Sequence, residues 1–295
     1  MKIQVWSRFR VAALLLLVAA SPLAHSGGNH HTFWEVKGRA NTVYLLGSVH
    51  MLKPDDSMLP PETLQAYERS QAVVMELDLN EVNGDTLLGG TLELAMLPEG
   101  QSLGEVLGAE LYADLASHAK GVGLEPEAMD RFQPWFAALV LEQAALGKSG
   151  FEAGAGVDEQ FAQRAQVDGK PIIALETADE QLGFFAHLTM EQQRQYLRAT
   201  LKDLDTEGSD AAVMVGAWQR GDSVELERLM RKESANNPEL FRILTTERNR
   251  RWLPKIVEML SEDHDYLVIV GALHLVGNDG LVALLKGRGF EVEQH

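Results

Sequence analysis

The stretch that decides the fold of this chain is YLVIVGALH, residues 266–274. Its first five residues are apolar and rich in β-branched side chains, which favours a buried strand. A glycine follows directly, and a histidine comes three residues later. The same order occurs in YLLGSVH, residues 44–50, near the other end of the chain. We therefore expect two buried strands that deliver His274 and His50 to the edge of one sheet.

Two further apolar runs, residues 73–75 and 172–175, each end in a glutamate, Glu76 and Glu176. In open α/β sheets, ligands bind beyond the carboxyl ends of the strands, where loops leave the sheet. Strands that end in two histidines and two glutamates therefore predict a site at that edge.

Strand and helix signals alternate along the chain outside these runs. Residues 33–37 and 42–47 flank a turn-forming segment and predict a hairpin, and prolines at positions 60 and 61 suit the start of a helix. This alternation predicts an α/β fold, with a central mixed β-sheet flanked by helices. Residues 80–150 have helically spaced apolar positions, which predicts a helical insertion that covers one end of the sheet as a lid. Residues 177–260 are expected to form consecutive helices.

The N-terminus has the pattern of a secretory signal. Lys2, Arg8 and Arg10 form a basic segment, residues 11–20 are apolar, and Ala24-His25-Ser26 is a small-x-small cleavage site. The apolar segment is shorter than the roughly 20 residues that span a bilayer, so a cleaved signal is favoured over a membrane anchor. The sequence predicts a signal peptide at residues 1–26, a single domain at 27–295, and a periplasmic or secreted location.

Composition restricts the partners of the chain. Removal of residues 1–26 takes away three positive charges and no negative ones, so the formal charge changes from −17 to −20. Such an acidic chain is a poor partner for nucleic acid or for anionic lipid surfaces. We expect a peptide or small-molecule substrate and no stable membrane anchor after signal cleavage, and the sequence does not determine the oligomeric state. The chain has no cysteine, which excludes disulfides, thiol catalysis and thiolate ligands.

Two neutral imidazoles and one carboxylate, with a position left open, make up the ligand count of a catalytic divalent-metal site. His50, His274 and Glu76 are the expected ligands, and Asp158 is a fourth candidate. Histidine and carboxylate ligands without thiolate suit Mn²⁺, Co²⁺ or Zn²⁺. For one isolated histidine, a hydrogen bond to a nearby loop is the simpler explanation, because motif matches carry a high false-positive rate. Two Gly-x-x-His segments together with Glu76 make a metal site and simple hydrogen bonding about equally favoured.

The charged candidates each have a structural alternative. Glu76 at the end of a central strand is costly unless paired or metal-bound, but it could instead face water. Glu176 suits a catalytic role and a surface role equally, and Asp158 is by default a favourable first-turn acid of its helix. Arg248, within the basic residues 248–251, could belong to a solvated face or stabilise developing negative charge. We expect Glu176 or Asp158 to act as a base or as an orienting group.

Common nucleophile and nucleotide motifs are missing from the chain. It contains no Gly-x-Ser-x-Gly, His-Glu-x-x-His or phosphate-binding glycine-rich loop. Ser48 lies inside the first Gly-x-x-His segment and could be a nucleophile, but its counterpart in the second segment is Ala272.

The chain resembles the TraB/GumN family, which also contains the PrgY pheromone-shutdown proteins and the TIKI metalloproteases. The resemblance covers almost the whole chain after the signal and is carried by short blocks in a fixed order. The blocks are YLLGSVH (44–50), VMELD (74–78), GVD (156–158), LET (175–177), ERNRR (247–251) and GALHLVG (271–277).

The resemblance implies that the two Gly-x-x-His segments and Glu76 form the active site. It also places the chain near erythromycin-esterase-like hydrolases, thought to work through histidine without metal, and near ChaN-like haem-binding proteins. TIKI members are described as manganese- or cobalt-dependent proteases.

Three functions therefore stay open. The leading hypothesis is an exported hydrolase, of the metallopeptidase type, in which His50, Glu76 and His274 hold a divalent ion and a bound water is the nucleophile. The second is a metal-independent esterase-like hydrolase in which His50 or His274 is the general base and Glu76 orients it. The third is a protein that binds a peptide, signal or haem under the lid without turnover.

Overall fold

The computed structural model describes residues 31–78, 93–205, 207–236 and 238–295. The predicted signal peptide lies outside the described residues, as do residues 80–92 of the predicted insertion. None of the described helices is both long and apolar enough to cross a membrane.

The sheet has six strands, and their order across the sheet is β4-β3-β5-β2-β1-β6. They are β1 (Phe33–Lys37), β2 (Thr42–Ser48), β3 (Ala72–Met75), β4 (Ile172–Ala174), β5 (Tyr266–Gly271) and β6 (Val292–Gln294). β4, β3, β5 and β2 run parallel to one another, whereas β1 is antiparallel to β2 and to β6. The expected hairpin and the expected mixed sheet are both confirmed.

Helices occupy most of the remaining described chain. They are α1 (Pro61–Arg69), α2 (Leu103–Leu107), α3 (Ala109–Gly121), α4 (Pro134–Lys148), α5 (Val157–Asp168), α6 (Ala178–Ala186), α7 (Met190–Leu204), α8 (Glu207–Gln219), α9 (Ser223–Asn236), α10 (Pro238–Phe241), α11 (Glu247–Met259) and α12 (Leu281–Gly287). A π-helical segment, Arg242–Thr246, joins α10 to α11, and a 3-10 turn, Ala272–His274, follows β5.

The two central strands are mostly apolar because neighbouring strands cover their edges and other elements cover their faces. All six residues of β5 are buried, as are six of the seven residues of β2. The two Gly-x-x-His segments begin at the ends of these strands, and the strands pair directly, with Ser48 opposite Gly271. The segments come from opposite ends of the sequence, yet they lie side by side in the middle of the sheet.

The buried apolar side chains form two clusters. The first contains the strand residues together with residues of α5, α8, α11 and α12, such as Phe161, Trp218, Trp252 and Leu281. The second contains no strand residue and is built from α2, α3, α4, α6 and α7. The described part of the predicted insertion therefore shares its core with α6 and α7, which follow β4.

Candidate active site

The strand register places the four predicted strand ends next to one another. Met75 of β3 lies opposite Ile269 of β5, so that Glu76 follows level with Val270, one residue before Gly271. The Glu76 Oε1 atom accepts a hydrogen bond from the Gly271 backbone N–H at 2.7 Å. The pairing of β3 with β4 continues beyond both strands, because the Glu176 N–H donates to the Glu76 carbonyl oxygen at 3.1 Å. Hydrogen bonds between backbones therefore set the two glutamates side by side.

A buried arginine lies between these glutamates. The Arg248 guanidinium is about 5 % exposed, and its Nε donates to both Glu176 oxygens, at 3.0 and 3.2 Å. Its Nη2 donates to Glu76 Oε2 and to Glu176 Oε1. One cation therefore serves two buried carboxylates, and loss of Arg248 would leave both of them without a partner of opposite charge.

Gln181 and Trp252 complete the hydrogen bonds of this network. The Gln181 amide donates to Glu176 Oε1 at 3.1 Å and more distantly to Glu76 Oε2, at 3.4 Å. The Trp252 indole N–H donates to Glu176 Oε2 at 3.3 Å, and the Trp252 ring lies against the Arg248 guanidinium. Glu176 thus has donors on both oxygens, which is what a buried carboxylate requires.

His274 reaches the same network from the turn after β5. Its Nε2 lies 3.2 Å from Arg248 Nη1 and 3.9 Å from Glu76 Oε1. Its Nδ1 lies 2.7 Å from Asn249 Oδ1, on the side away from Arg248. The ring packs against Trp252, with centroids 4.6 Å apart. His274 is therefore fixed at both ring nitrogens and on one ring face.

His50 is held by the start of α5. The Val157 N–H donates to the Val49 carbonyl at 3.0 Å, which ties the helix to the loop after β2. Asp158 follows, and its Oδ2 lies 3.0 Å from His50 Nδ1. The chain approaches closely here, since a Cβ on Gly156 would lie 2.2 Å from the His50 carbonyl oxygen. Glycine at position 156 is therefore required for Asp158 to stand behind His50.

The ends of three side chains face one small volume beside Gly271. A Cβ placed on Gly271 would lie 3.4 Å from Glu76 Oε1, 3.5 Å from His274 Cδ2 and 3.9 Å from His50 Nε2. The structure thus brings His50, Glu76 and His274 together. It places Glu176 and Arg248 beside Glu76, and Asp158 behind His50.

The histidines differ in charge state because their surroundings differ. Burial opposes the imidazolium form of His50, but the Asp158 carboxylate outweighs it and raises the pKa of His50 to about 9. Burial lowers the pKa of His274 to about 3, and the positive charges of Arg248 and His50 add to this shift against the pull of Glu76. Burial also opposes ionisation of Glu76, yet Arg248 and the two histidines lower the pKa of Glu76 to about 2. Burial raises the pKa of Glu176 despite Arg248.

Sequence reasoning did not assign Asn249, Gln181 or Trp252 to the site. Asn249 follows Arg248 within the quoted ERNRR block, so its place in that block was the available signal. Gln181 and Trp252 are ordinary residues of helical segments, and nothing in their local sequence marks them. All three are buried, at 0 %, 3 % and 1 % exposure.

The fold and the site define an α/β protein with a cluster of two histidines, two glutamates and one arginine at the carboxyl edge of a mixed sheet. The profile of the TraB/PrgY/gumN family matches residues 32–294, and the chain belongs to this family. The resemblance drawn from the sequence is therefore confirmed.

Several relatives extend over most of the chain. The uncharacterized protein YbaP of Escherichia coli (strain K12) is 27 % identical, over 88 % of this chain and 94 % of YbaP. Metalloprotease TIKI1 of Danio rerio is 24 % identical, over 98 % of this chain and 70 % of its own length. The Metalloprotease TIKI homolog of Nematostella vectensis is 23 % identical, over 90 % of this chain and 67 % of its own length. No solved structure matches the chain significantly.

Proposed function

We propose that this protein is an exported hydrolase that cleaves an amide or ester bond in a peptide or small molecule, with His50, Glu76 and His274 as its reacting groups. The observation that carries the proposal is their convergence beside Gly271, where the Nε2 side of one imidazole, the ring edge of the other and a carboxylate oxygen all lie within 4 Å of one point. The names of the TIKI relatives, which are metalloproteases, support a hydrolytic reaction and favour a peptide substrate.

The partners of the two imidazoles suggest how they divide the proton transfers. His274 has a neutral amide behind it and a cation in front, and both keep its ring neutral. A neutral ring has a lone pair, which can accept a proton from the attacking water once Arg248 leaves Nε2. His50 has a carboxylate behind it and is suited to give a proton to the leaving group. Water adds to the carbonyl carbon, the bond to the leaving nitrogen or oxygen breaks, and one proton is taken up and one released.

Arg248 and Glu76 supply the fixed charges of this scheme. The Arg248 guanidinium donates toward His274 Nε2 and is held by two carboxylates, so it is a preorganised positive charge beside the reacting volume. Such a charge stabilises the oxygen that becomes negative as water adds to a carbonyl. Glu76 lies next to both imidazoles, and its charge favours the protonated state that either one reaches during turnover.

A divalent cation fits the donor set, but the described side chains do not present it as a ready site. Both imidazoles have their Nδ1 atoms held by an oxygen, as metal-ligating histidines do, and Glu76 lies between them. Among the residues that the structure describes, however, no three such groups are arranged to hold a metal ion. Arg248 Nη1 lies 3.2 Å from His274 Nε2. Metal binding at His50, Glu76 and His274 would therefore require Arg248 to move away from that atom. Asp158 is placed to orient His50.

A bound ion would polarise the scissile carbonyl and lower the pKa of its water. Mn²⁺, Co²⁺ and Zn²⁺ all suit these ligands. Elemental analysis of the purified chain, followed by assays after chelation and after return of each ion separately, distinguishes the two forms of the proposal. Activity lost with a chelator and restored by one ion supports the metal-dependent form, and full activity in metal-free protein supports the esterase-like form.

The hydrolase proposal is tested with His50→Ala and His274→Ala on a broad panel of peptides and esters. We expect each variant to lose at least about 100-fold in kcat/KM while its circular dichroism spectrum is unchanged. The matched control is His187→Ala, which removes an exposed histidine at the end of α6 and should leave activity unchanged. Hydrolysis that survives either site substitution would overturn the proposal. Stoichiometric binding of a peptide or haem without product would favour the binding protein instead.

The proposed export is tested separately from the chemistry. We expect the chain to be recovered from the periplasm or the medium with Gly27 as its first residue. Recovery of the full chain with Met1 from the cytoplasm would contradict this part of the proposal.

A further inference from the structure

Asn249 is a fully buried amide in α11, and it connects His274 to two backbone carbonyls. Its Nδ2 lies 3.1 Å from the His274 carbonyl oxygen and 2.8 Å from the Asp279 carbonyl oxygen. Its Oδ1 lies 2.7 Å from His274 Nδ1. The side chain is 0 % exposed, so water does not compete for these contacts.

The neighbours of Asn249 determine which way its amide points. Carbonyl oxygens only accept hydrogen bonds, so the NH₂ end of the amide has to face the His274 and Asp279 carbonyls. The amide oxygen is then left for His274 Nδ1, and since that oxygen only accepts, Nδ1 has to carry a proton. The orientation therefore follows from the hydrogen-bond network.

The other ring nitrogen imposes the same arrangement. His274 Nε2 faces Arg248 Nη1 at 3.2 Å, and a guanidinium has donors and no acceptor. Nε2 must therefore offer its lone pair. The two contacts, one on each side of the ring, select the neutral tautomer with the proton on Nδ1 and the lone pair on the side of Arg248 and Glu76.

We propose that Asn249 is a positioning residue that fixes His274 in its Nδ1–H tautomer, so that the Nε2 lone pair stays on the side of Arg248 and Glu76. The tautomer is inferred from the contacts alone. Its consequence for turnover rests on the hydrolase proposed above, in which His274 accepts a proton from water. Residues that orient a catalytic or metal-ligating histidine in this way typically contribute about 10- to 100-fold to activity.

The direct test is a long-range ¹H–¹⁵N correlation spectrum of the full chain with ¹⁵N-labelled histidine, recorded after chelation at neutral pH. The His274 signals are assigned by their absence in His274→Ala. We expect the wild-type ring to carry its proton on Nδ1. A proton on Nε2 would overturn the proposal, whatever the activity of the protein.

Two substitutions separate positioning from packing. Asn249→Leu keeps the size of the side chain and removes the acceptor, so we expect His274 to lose its preference for the Nδ1–H tautomer and kcat to fall about 10- to 100-fold with little change in KM. Asn249→Asp keeps an acceptor for Nδ1–H, and we expect it to retain the tautomer and a larger share of kcat than Asn249→Leu. Loss of kcat with the tautomer unchanged in Asn249→Leu would contradict the positioning role.

Asn41 offers a matched control within the same chain. Its Nδ2 also donates to two backbone carbonyls, those of Met259 and His264, each at 2.8 Å, and it has no histidine ring among its contacts. Asn41→Leu should therefore cost folding stability as Asn249→Leu does, but leave both the His274 tautomer and kcat unchanged. An Nδ1–H ring in the wild type that is lost in Asn249→Leu supports the positioning inference even if every hydrolysis assay fails, so the two proposals can fail separately.

Discussion

The two Gly-x-x-His segments have the same sequence pattern and pair side by side in the sheet, but their glycines serve different purposes. A Cβ on Gly47 would lie 2.4 Å from Thr32 Cγ2 and 3.0 Å from the Ala272 Cα atom, so Gly47 allows neighbouring segments of the chain to pack closely. A Cβ on Gly271 would make only ordinary contacts, and those contacts are with Glu76, His274 and His50. The first glycine is needed for packing, and the second leaves open the volume between Glu76, His274 and His50.

Their histidines differ in the same way. His50 is backed by the Asp158 carboxylate and His274 by the Asn249 amide, and Arg248 contacts His274. A charged acceptor favours the imidazolium, and a neutral acceptor beside a cation favours the neutral ring. One motif therefore places two identical side chains, and residues far away in the sequence give them different properties.

Arg248→Met, which replaces a residue in contact with His274, should cause the largest change in stability. Two buried carboxylates, Glu76 and Glu176, would lose their shared cation, and we expect the free energy of unfolding to fall by about 3–5 kcal/mol. Chemical denaturation measures the loss. Arg251→Met is the control, since Arg251 is exposed and its guanidinium lies over the Phe184 ring; we expect it to cost within about 1 kcal/mol. Equal losses in both variants would show that the buried network is not the cause.

Gly47→Ala should destabilise the protein by a smaller amount. The added methyl overlaps Thr32 and the backbone of Ala272, and overpacking of this kind typically costs about 1–3 kcal/mol. Thermal or chemical unfolding measures the effect, and any remaining folded protein should retain its kcat. A variant as stable as the wild type would remove the distinction between the two glycines.

Gly271→Ala should leave the free energy of unfolding within about 1 kcal/mol of the wild type, because its Cβ has room. The methyl nevertheless fills the volume between Glu76, His274 and His50. On the proposed function, we expect kcat/KM to fall about 100-fold, as when a reacting group is displaced by an ångström. The free energy of unfolding and kcat/KM are both measured on the same preparation of the variant. Unchanged activity would place the reaction elsewhere.

The pH dependence of stability in metal-free protein is the most direct test of the difference between the two histidines. Among these predictions it concerns the smallest change at neutral pH. The pKa of His50 is raised to about 9, so its contribution is present below pH 6.5 and lost as the pH rises from 6.5 to 9. The pKa of His274 is lowered to about 3, so stability falls as the pH drops from 6.5 toward 3. The lowered pKa of Glu76 adds a loss below pH 4.5.

Substitution of each histidine by glutamine separates the two limbs of this profile. His50→Gln should flatten the alkaline limb and His274→Gln the upper part of the acid limb, with unfolding followed at each pH. A direct check is the NMR titration of both rings. Similar pKa values for the two histidines would contradict the comparison.

Much of the fold could be predicted because its signals are local. Apolar runs of strand length located β2, β3, β4 and β5, and Thr177 with Glu180 forms a capping box at the start of α6, with both reciprocal hydrogen bonds present. Residues 177–260 were expected to be helical, and within them the π-helical segment Arg242–Thr246 lies between α10 and α11. Neither Gly47 nor Gly271 has a positive φ, and close approach accounts for Gly47.

By itself, the sequence determined which strands would be buried and that His50, Glu76, Glu176 and His274 would follow them, because strand burial and strand ends depend on neighbouring residues. Only the tertiary structure decided that Arg248 bridges the two glutamates, that Asp158 and Asn249 stand behind different histidines, and that Gly271 faces Glu76, His274 and His50. The contacts that Arg248, Asn249 and Asp158 make with these partners join positions between 25 and 172 residues apart in the chain. The charge of a buried group depends on such partners through burial and short-range electrostatics, and a local sequence pattern does not identify these partners.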